Sequence, residues 1–235
     1  MKDSFNILLA ALGAGALGIG GLLARAALAN KPGSIIKSKI ELPPIKFMQA
    51  KWYTKTPPGT KRDIKWLIIH DAEYPETLTA AEGLGAYFQN PQLPIGPPGP
   101  DGKPTMQVVK TSAHYQIDAD SIVQSVDDND VAYAAPPAND NGLQFELAGY
   151  AKQSPAEWDD PYSKAMLALA ARLFAAKAQE YNIPMEFVGP ADLLAGKRGI
   201  TTHAAISDAW KKSDHQDPGK NFPLAAFIAA VKAAR

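Results

Sequence analysis

The sequence predicts a mixed α/β fold: a central mixed β-sheet flanked by helices, led in by a hydrophobic N-terminal helix and an extended linker. Three observations predict it. Short apolar runs bounded by turn residues mark buried strands. A long stretch after Asp160 repeats Met166, Leu169, Leu173 and Ala176 at helical spacing. Strands and helices mix without the strict alternation that builds an all-parallel sheet.

In chain order, residues 1–30 come first. Ile7 to Ala24 is uncharged and rich in Ala, Gly and Leu. The run sits near the short end of the roughly 17–25 residues that span a bilayer. Its glycines, Gly13, Gly15, Gly18, Gly20 and Gly21, make it a poor soluble helix. It exceeds the apolar core of about 7–15 residues usual in a signal peptide, yet Ala27-Leu28-Ala29 offers a cleavage pattern. A membrane-associating or export segment is expected. The basic residues Arg25, Lys31, Lys37 and Lys39 conflict with export, because the positive-inside tendency holds such a flank in the cytoplasm. Residues 31–62 carry Pro32, Pro43, Pro44, Pro57, Pro58 and many lysines. They read as an extended connector that lies along a surface.

The folded domain is expected over residues 63–235. Ile64-Lys65-Trp66-Leu67-Ile68-Ile69 predicts a buried strand that ends at His70. Thr79 to Gln89 predicts a helix, with Thr77 or Thr79 as its N-cap. Asn90 to Thr105, with Pro97-Pro98-Gly99-Pro100, predicts a long loop, and such loops inside compact domains are usually functional. His114 to Asp118 and Ile122 to Val126 predict two strands joined by a tight turn at Asp118-Ala119-Asp120-Ser121. Leu143 to Leu147 predicts another strand. Asp160-Pro161 opens a long helix, Asp as N-cap and Pro in the first turn, and Ile183-Pro184 ends it. Asn221 to Arg235 predicts a final helix with Pro223 near its start.

Composition narrows the chemistry. The 235 residues hold 24 Lys plus Arg and 24 Asp plus Glu, a balance that favours no nucleic-acid partner. There are no cysteines, which excludes disulfides, thiolate metal sites and cysteine nucleophiles. A metal site must then be built from His, Asp and Glu, and the only histidines are His70, His114, His203 and His215. His70 closes an apolar strand, at the sheet edge where open α/β folds place their ligands. His203 and Asp217 lie fourteen residues apart. Two imidazoles and one carboxylate can fill three corners of a tetrahedron and leave the fourth to water. Spacing alone does not make these three meet, and no HExxH pattern is present. His114, in mid-strand, reads as a buried structural residue. Phe145 and Leu147 point away from the face that carries Glu146, which frees Glu146 to line a cleft.

Four segments carry a resemblance. They are Trp66-Leu67-Ile68-Ile69-His70; Ser112-Ala113-His114-Tyr115-Gln116-Ile117-Asp118 with Ile122-Val123-Gln124-Ser125-Val126; Leu143-Gln144-Phe145-Glu146-Leu147-Ala148-Gly149; and Gly199 to His203 followed by Asp214 to Pro223. In this order and spacing they resemble the type 2 N-acetylmuramoyl-L-alanine amidases. That family includes phage endolysins, bacterial wall-recycling amidases and animal peptidoglycan recognition proteins. The Ser213-Asp214-His215-Gln216-Asp217-Pro218-Gly219 run looks most like the endolysins. The resemblance starts at about Trp66 and says nothing of residues 1–62.

The resemblance implies the peptidoglycan-recognition amidase fold and a Zn2+ ion held by His70, His203 and Asp217. It implies that Glu146 handles the protons of the attacking water. His215 falls where many relatives have Lys, Arg or Thr to stabilise the oxyanion. Ala113 stands where some relatives use a tyrosine, so that role is empty or filled otherwise. The implied reaction cuts the amide between N-acetylmuramic acid and L-alanine, with peptidoglycan as the partner. Trp158, Trp210 and Tyr150 are candidates either to stack on sugar or to pack a core or lid. A phage-encoded lytic enzyme, exported or membrane-associated, is the leading expectation. One alternative is a peptidoglycan-binding module that does not cut, which the complete ligand set argues against. Another is a virion component, with residues 1–30 packed inside the assembly.

Overall fold

The computed structural model describes residues 40–95 and 103–235. The expected hydrophobic segment 1–30 lies outside them, as do residues 31–39 of the connector and 96–102 of the long loop. In chain order the elements are β1 (Lys46–Phe47), β2 (Trp66–Asp71), α1 (Ala80–Gln89), β3 (Gln92–Ile95) and β4 (Thr105–Val108). Then come β5 (Tyr115–Ile117), β6 (Ile122–Gln124), a 3-10 turn at Asn139–Asn141 and β7 (Gly142–Leu147). The last are α2 (Pro155–Trp158), α3 (Pro161–Glu180), α4 (Pro190–Leu194), β8 (Gly199–Thr202), α5 (His203–Trp210) and α6 (Leu224–Ala233).

The main sheet has the strand order β1-β6-β5-β7-β2-β8. Only β5 and β6 pair antiparallel; the other neighbours are parallel. The expected mixed sheet with helices on its faces is therefore the observed architecture. Side chains alternate between its faces. Leu67 and Ile69 of β2, Leu143, Phe145 and Leu147 of β7, and Tyr115 and Ile117 of β5 share one face with Ile200 of β8. They pack on Met166, Leu169, Leu173 and Phe174 of α3 and on Phe227 and Val231 of α6. Phe145 lies between Tyr115, 5.2 Å away and nearly parallel, and Phe174 at 4.2 Å. Burying each such side chain stabilises the fold by about 1.5–3 kcal/mol. On the other face Trp66 and Ile68 pack against Val188, Leu193, Ala205 and Ile206, and polar residues follow towards the C-terminal ends of the strands.

The helix starts obey local chemistry. Asp160 accepts a 2.7 Å bond from the Ser163 N–H at the head of α3. Ser154 and Glu157 form a capping box on α2. Thr79 occupies the N-cap position of α1 without a side-chain bond. Thr202 ends β8 and at once caps α5, its hydroxyl accepting from the Ala205 N–H at 3.1 Å.

Two stretches differ from expectation. The segment from Asn90 to Thr105 holds β3 and the start of β4, which form an antiparallel ribbon apart from the main sheet. Pro94 hides this strand in the sequence, yet a two-stranded ribbon leaves each strand an open edge where a missing N–H costs no ladder bond. Residues 40–62 run largely extended, and β1 pairs with β6 at the sheet edge. Ala50 then donates to the Ser125 carbonyl at 2.8 Å, and Thr54 bridges to Val131. Among the described residues, no helix is long and apolar enough to cross a membrane.

Candidate metal centre and cleft

Parallel pairing sets the site. β2, β7 and β8 run in one direction, so their C-terminal ends share an edge of the sheet. The register places His70 beside Glu146 and Ile69 beside Thr202. His203, the next residue, opens α5 directly above that edge. Asp217 returns from the loop after α5, where the Ala204 N–H donates to its carbonyl at 3.0 Å. Gly219 completes this turn at φ +87°, and a side chain there would collide with the Ala151 carbonyl. The Asp-Pro-Gly run is thus a turn pressed against the loop that follows β7.

His70 Nδ1 lies 3.0 Å from Asp217 Oδ2, and His203 Nδ1 lies 3.2 Å from Asp217 Oδ1. The two imidazoles meet edge to face at 4.7 Å. One ligand atom from each of His70, His203 and Asp217 falls within 4.8 Å of the others, and all three residues are buried. His215 stands at the rim, its side chain 59% exposed. Its ring stacks on His203 at 4.2 Å, and its Nδ1 lies 3.4 Å from Asp217 Oδ1. Glu146 is half-buried. All five residues line one cleft of about 770 Å³, with Tyr87, Leu93, Lys110 and Tyr133 among its other walls.

The electrostatics are those of a crowded, partly dry site. Burial pushes the Glu146 carboxyl up; the His70 charge opposes this and the Asp217 charge adds to it, leaving it at about 7. Burial works against a charged His70, but the Glu146 charge and the hydrogen bond to Asp217 outweigh it and hold the imidazole at about 9. Burial would raise Asp217, yet its bonds to His203 and His70 hold it far below the usual carboxylate range. His203 is pushed down, chiefly by burial.

This donor set fits a zinc ion. It offers two imidazole nitrogens and a carboxylate, with the cleft on the open side. His203 Nε2 is buried without a hydrogen-bond partner among the described residues, which an ion held there would satisfy.

The other sequence candidates are placed elsewhere. His114 is fully buried: the Gln144 N–H donates to its Nδ1 at 3.0 Å, and its Nε2 lies 3.1 Å from the Asp130 carbonyl. Burial, then the neighbouring Arg62 charge, push it down to about 3. Trp158 packs edge-on against Phe222 at 5.1 Å, and Trp210 against Trp66 at 5.8 Å, so both serve as packing. Tyr150 is half-buried, with the Lys152 ammonium 5.6 Å from its ring. Sequence reasoning missed three contributors, two of which gave no signal of their own. Tyr87 and Tyr133 reach the cleft only through the packing of α1 and the segment before β7. Gln144 was findable, because it precedes Glu146 by two residues and must share its face; its amide accepts from His70 Nε2 at 2.8 Å.

A profile of the family described as N-acetylmuramoyl-L-alanine amidase matches residues 60–220. The chain is similar in fold to the Staphylococcus aureus hydrolase AmiA, solved with its ligand. The TM-score is 0.57 at 14% identity, over 83% of this chain and 84% of that one. A mutant endolysin from Bacillus subtilis is similar at TM-score 0.53 and 17% identity, over 80% of this chain and 98% of that one. AmpD, solved as a selenomethionine derivative, gives 0.51 at 20% identity, over 79% of this chain and 93% of that one. No curated protein matches by sequence.

Proposed function

The chain belongs to the N-acetylmuramoyl-L-alanine amidase family, and from that premise we propose that it hydrolyses the amide between N-acetylmuramic acid and L-alanine in peptidoglycan, with zinc held by His70, His203 and Asp217. One observation carries the reading: these three residues, from distant parts of the chain, converge within 4.8 Å in a cleft that also holds Glu146. Zinc bound there supplies Lewis acidity to the amide carbonyl and lowers the pKa of water towards about 7. Glu146 takes a proton from the attacking water and delivers it to the leaving amine of L-alanine. Burial disfavours the charged form of Glu146, which helps it take up a proton and pass it on. His215, at the rim, offers an N–H to the oxyanion that forms on the carbonyl. The rings of Tyr87 and Tyr133 on the cleft walls suit the apolar faces of a sugar. The Ser213 to Gly219 run supports a further step, a phage-encoded lytic or wall-penetrating role for this hydrolase.

Metal analysis and muropeptide release test the proposal. The purified protein should carry about one zinc per chain. Glu146→Gln should keep the zinc and the fold but lose most turnover, since the amide cannot accept the proton. A protein without zinc whose activity ignores a chelator would sink the metal assignment. Wild-type release by Glu146→Gln would remove Glu146 from the mechanism.

A further inference from the structure

Behind His70 a chain of hydrogen bonds runs away from the cleft. His70 Nε2 lies 2.8 Å from Gln144 Oε1. The Gln144 amide nitrogen donates to Asn139 Oδ1 at 3.2 Å. The same Asn139 oxygen accepts the backbone N–H groups of Ala134 at 3.2 Å and Ala135 at 2.8 Å. Gln144 and His70 are buried, Gln144 with no exposed surface at all.

The direction of this chain is fixed at its far end. A side-chain amide can flip, but a backbone N–H is always a donor. Two such donors on one atom require Asn139 to present oxygen there, not nitrogen. That oxygen can only accept, so Gln144 must turn its NH2 group towards Asn139. Gln144 then presents its own oxygen to His70. An oxygen at 2.8 Å requires the proton to sit on His70 Nε2. Nδ1, on the opposite side of the ring, faces Asp217 Oδ2 at 3.0 Å; there it holds a proton for the carboxylate, and that is the proton a metal ion would replace.

We infer that Gln144 and Asn139 are positioning residues that hold His70 in the tautomer and ring orientation needed to ligate a metal through Nδ1. Neither touches the reacting atoms; both act through His70. The inference rests on the zinc reading above. Its geometry follows from strand parity: Gln144 pairs with Ile68, one step below the His70–Glu146 pair on the same face. The 3-10 turn at Asn139–Asn141 leads directly into β7 and brings Asn139 within reach.

The test uses the full chain and measures zinc affinity by competition with a chromophoric chelator. NMR of the zinc-loaded protein reads the proton on His70 Nε2. Gln144→Met keeps the side chain's length but neither donates nor accepts a normal hydrogen bond. It should weaken zinc about 10–100-fold, the usual range for losing such a partner of a ligating histidine. The His70 Nε2 proton should also lose its protection from exchange. Asn139→Ala should weaken zinc in the same direction, and it stands in if Gln144→Met fails to fold. Asn139→Asp keeps an oxygen for all three donors and should restore near wild-type affinity. A merely structural role would not reproduce that rescue. Equal zinc affinity and an unchanged Nε2 proton in Gln144→Met or Asn139→Ala would overturn the inference while leaving the metal centre intact. A wild-type protein that binds no zinc would overturn both.

Discussion

At the scale of single residues, His215 shows how exposure limits what a side chain can do. It lies against Asp217 and stacks on His203, yet more than half of its side chain meets solvent. An oxyanion donor in a dry site is typically worth 10²–10³ in turnover. Water competes for a donor at the rim, so a smaller effect is expected here. His215→Ala should lower kcat about tenfold, with zinc content unchanged. The comparison of kcat and metal content separates the two roles its position allows. An unchanged kcat would make His215 a bystander, and a loss of zinc would make it a support for His203. Glu146 shows the reverse case. Its Phe145 and Leu147 neighbours are fully buried against α3 and α6, so its parity on β7 alone turns it to the cleft.

At the scale of elements, β5, β7 and the segment between β6 and β7 are tied by a polar hub around Arg62 and His114. The Arg62 guanidinium donates to the carbonyls of Asp128, Asp130, Asn139 and Gly142, and its Nη1 lies 3.1 Å from His114 Nε2. The Gln144 N–H fixes His114 Nδ1 as an acceptor, so Nε2 carries the one ring proton and faces the Asp130 carbonyl. A second proton would have to displace the Gln144 bond beside a guanidinium. Burial, and then the Arg62 charge, hold the folded His114 at about 3, against about 6.5 when unfolded. The sign follows from proton counting. Between pH 6.5 and 3 the unfolded chain binds a proton here that the folded chain does not, so the stability His114 contributes is lost as pH falls. Urea unfolding should show a loss of about 1.4 kcal/mol per pH unit below 6.5 from this group. His114→Gln should lack that share, so its stability should fall less than the wild type's between pH 7 and 5. Parallel pH profiles for the two proteins would refute the assignment.

At the scale of the whole molecule, the described fold takes in residues 40–95 and 103–235, and the uncharged run Ile7 to Ala24 stands apart from them in composition. We propose that residues 1–30 associate the enzyme with a membrane or direct its export. A chain beginning at Asn30 should then move to the soluble fraction while the full chain sediments with membranes or is processed. If both chains stay soluble and the full chain runs uncleaved, that role fails, and the reading in which the segment packs within a virion assembly gains. Neither outcome touches the amide chemistry, because His70, Glu146, His203 and Asp217 all lie within the residues matched by the family profile.

Local rules in the sequence determined much of this protein. The apolar run around Leu67, Ile68 and Ile69, the turn at Asp118 to Ser121, the Asp160-Pro161 start of α3 and the parity of Glu146 each depend on neighbours within a few positions. Such signals survive without knowledge of the rest of the chain. The meeting of His70 with Asp217 is of another kind, since 147 residues separate them. The resemblance implied it, but only the tertiary structure shows how it arises. β8 must pair parallel with β2, Thr202 must turn the chain into α5, and the Asp217-Pro218-Gly219 turn must dock on Ala151. The same holds for β1, for the β3–β4 ribbon and for Asn139 behind Gln144. The partner of β1 lies far off in sequence, and long-range pairing leaves no periodic trace in the residues that make it; for the ribbon and for Asn139 the separation is short, and the local geometry rather than the distance hides the contact.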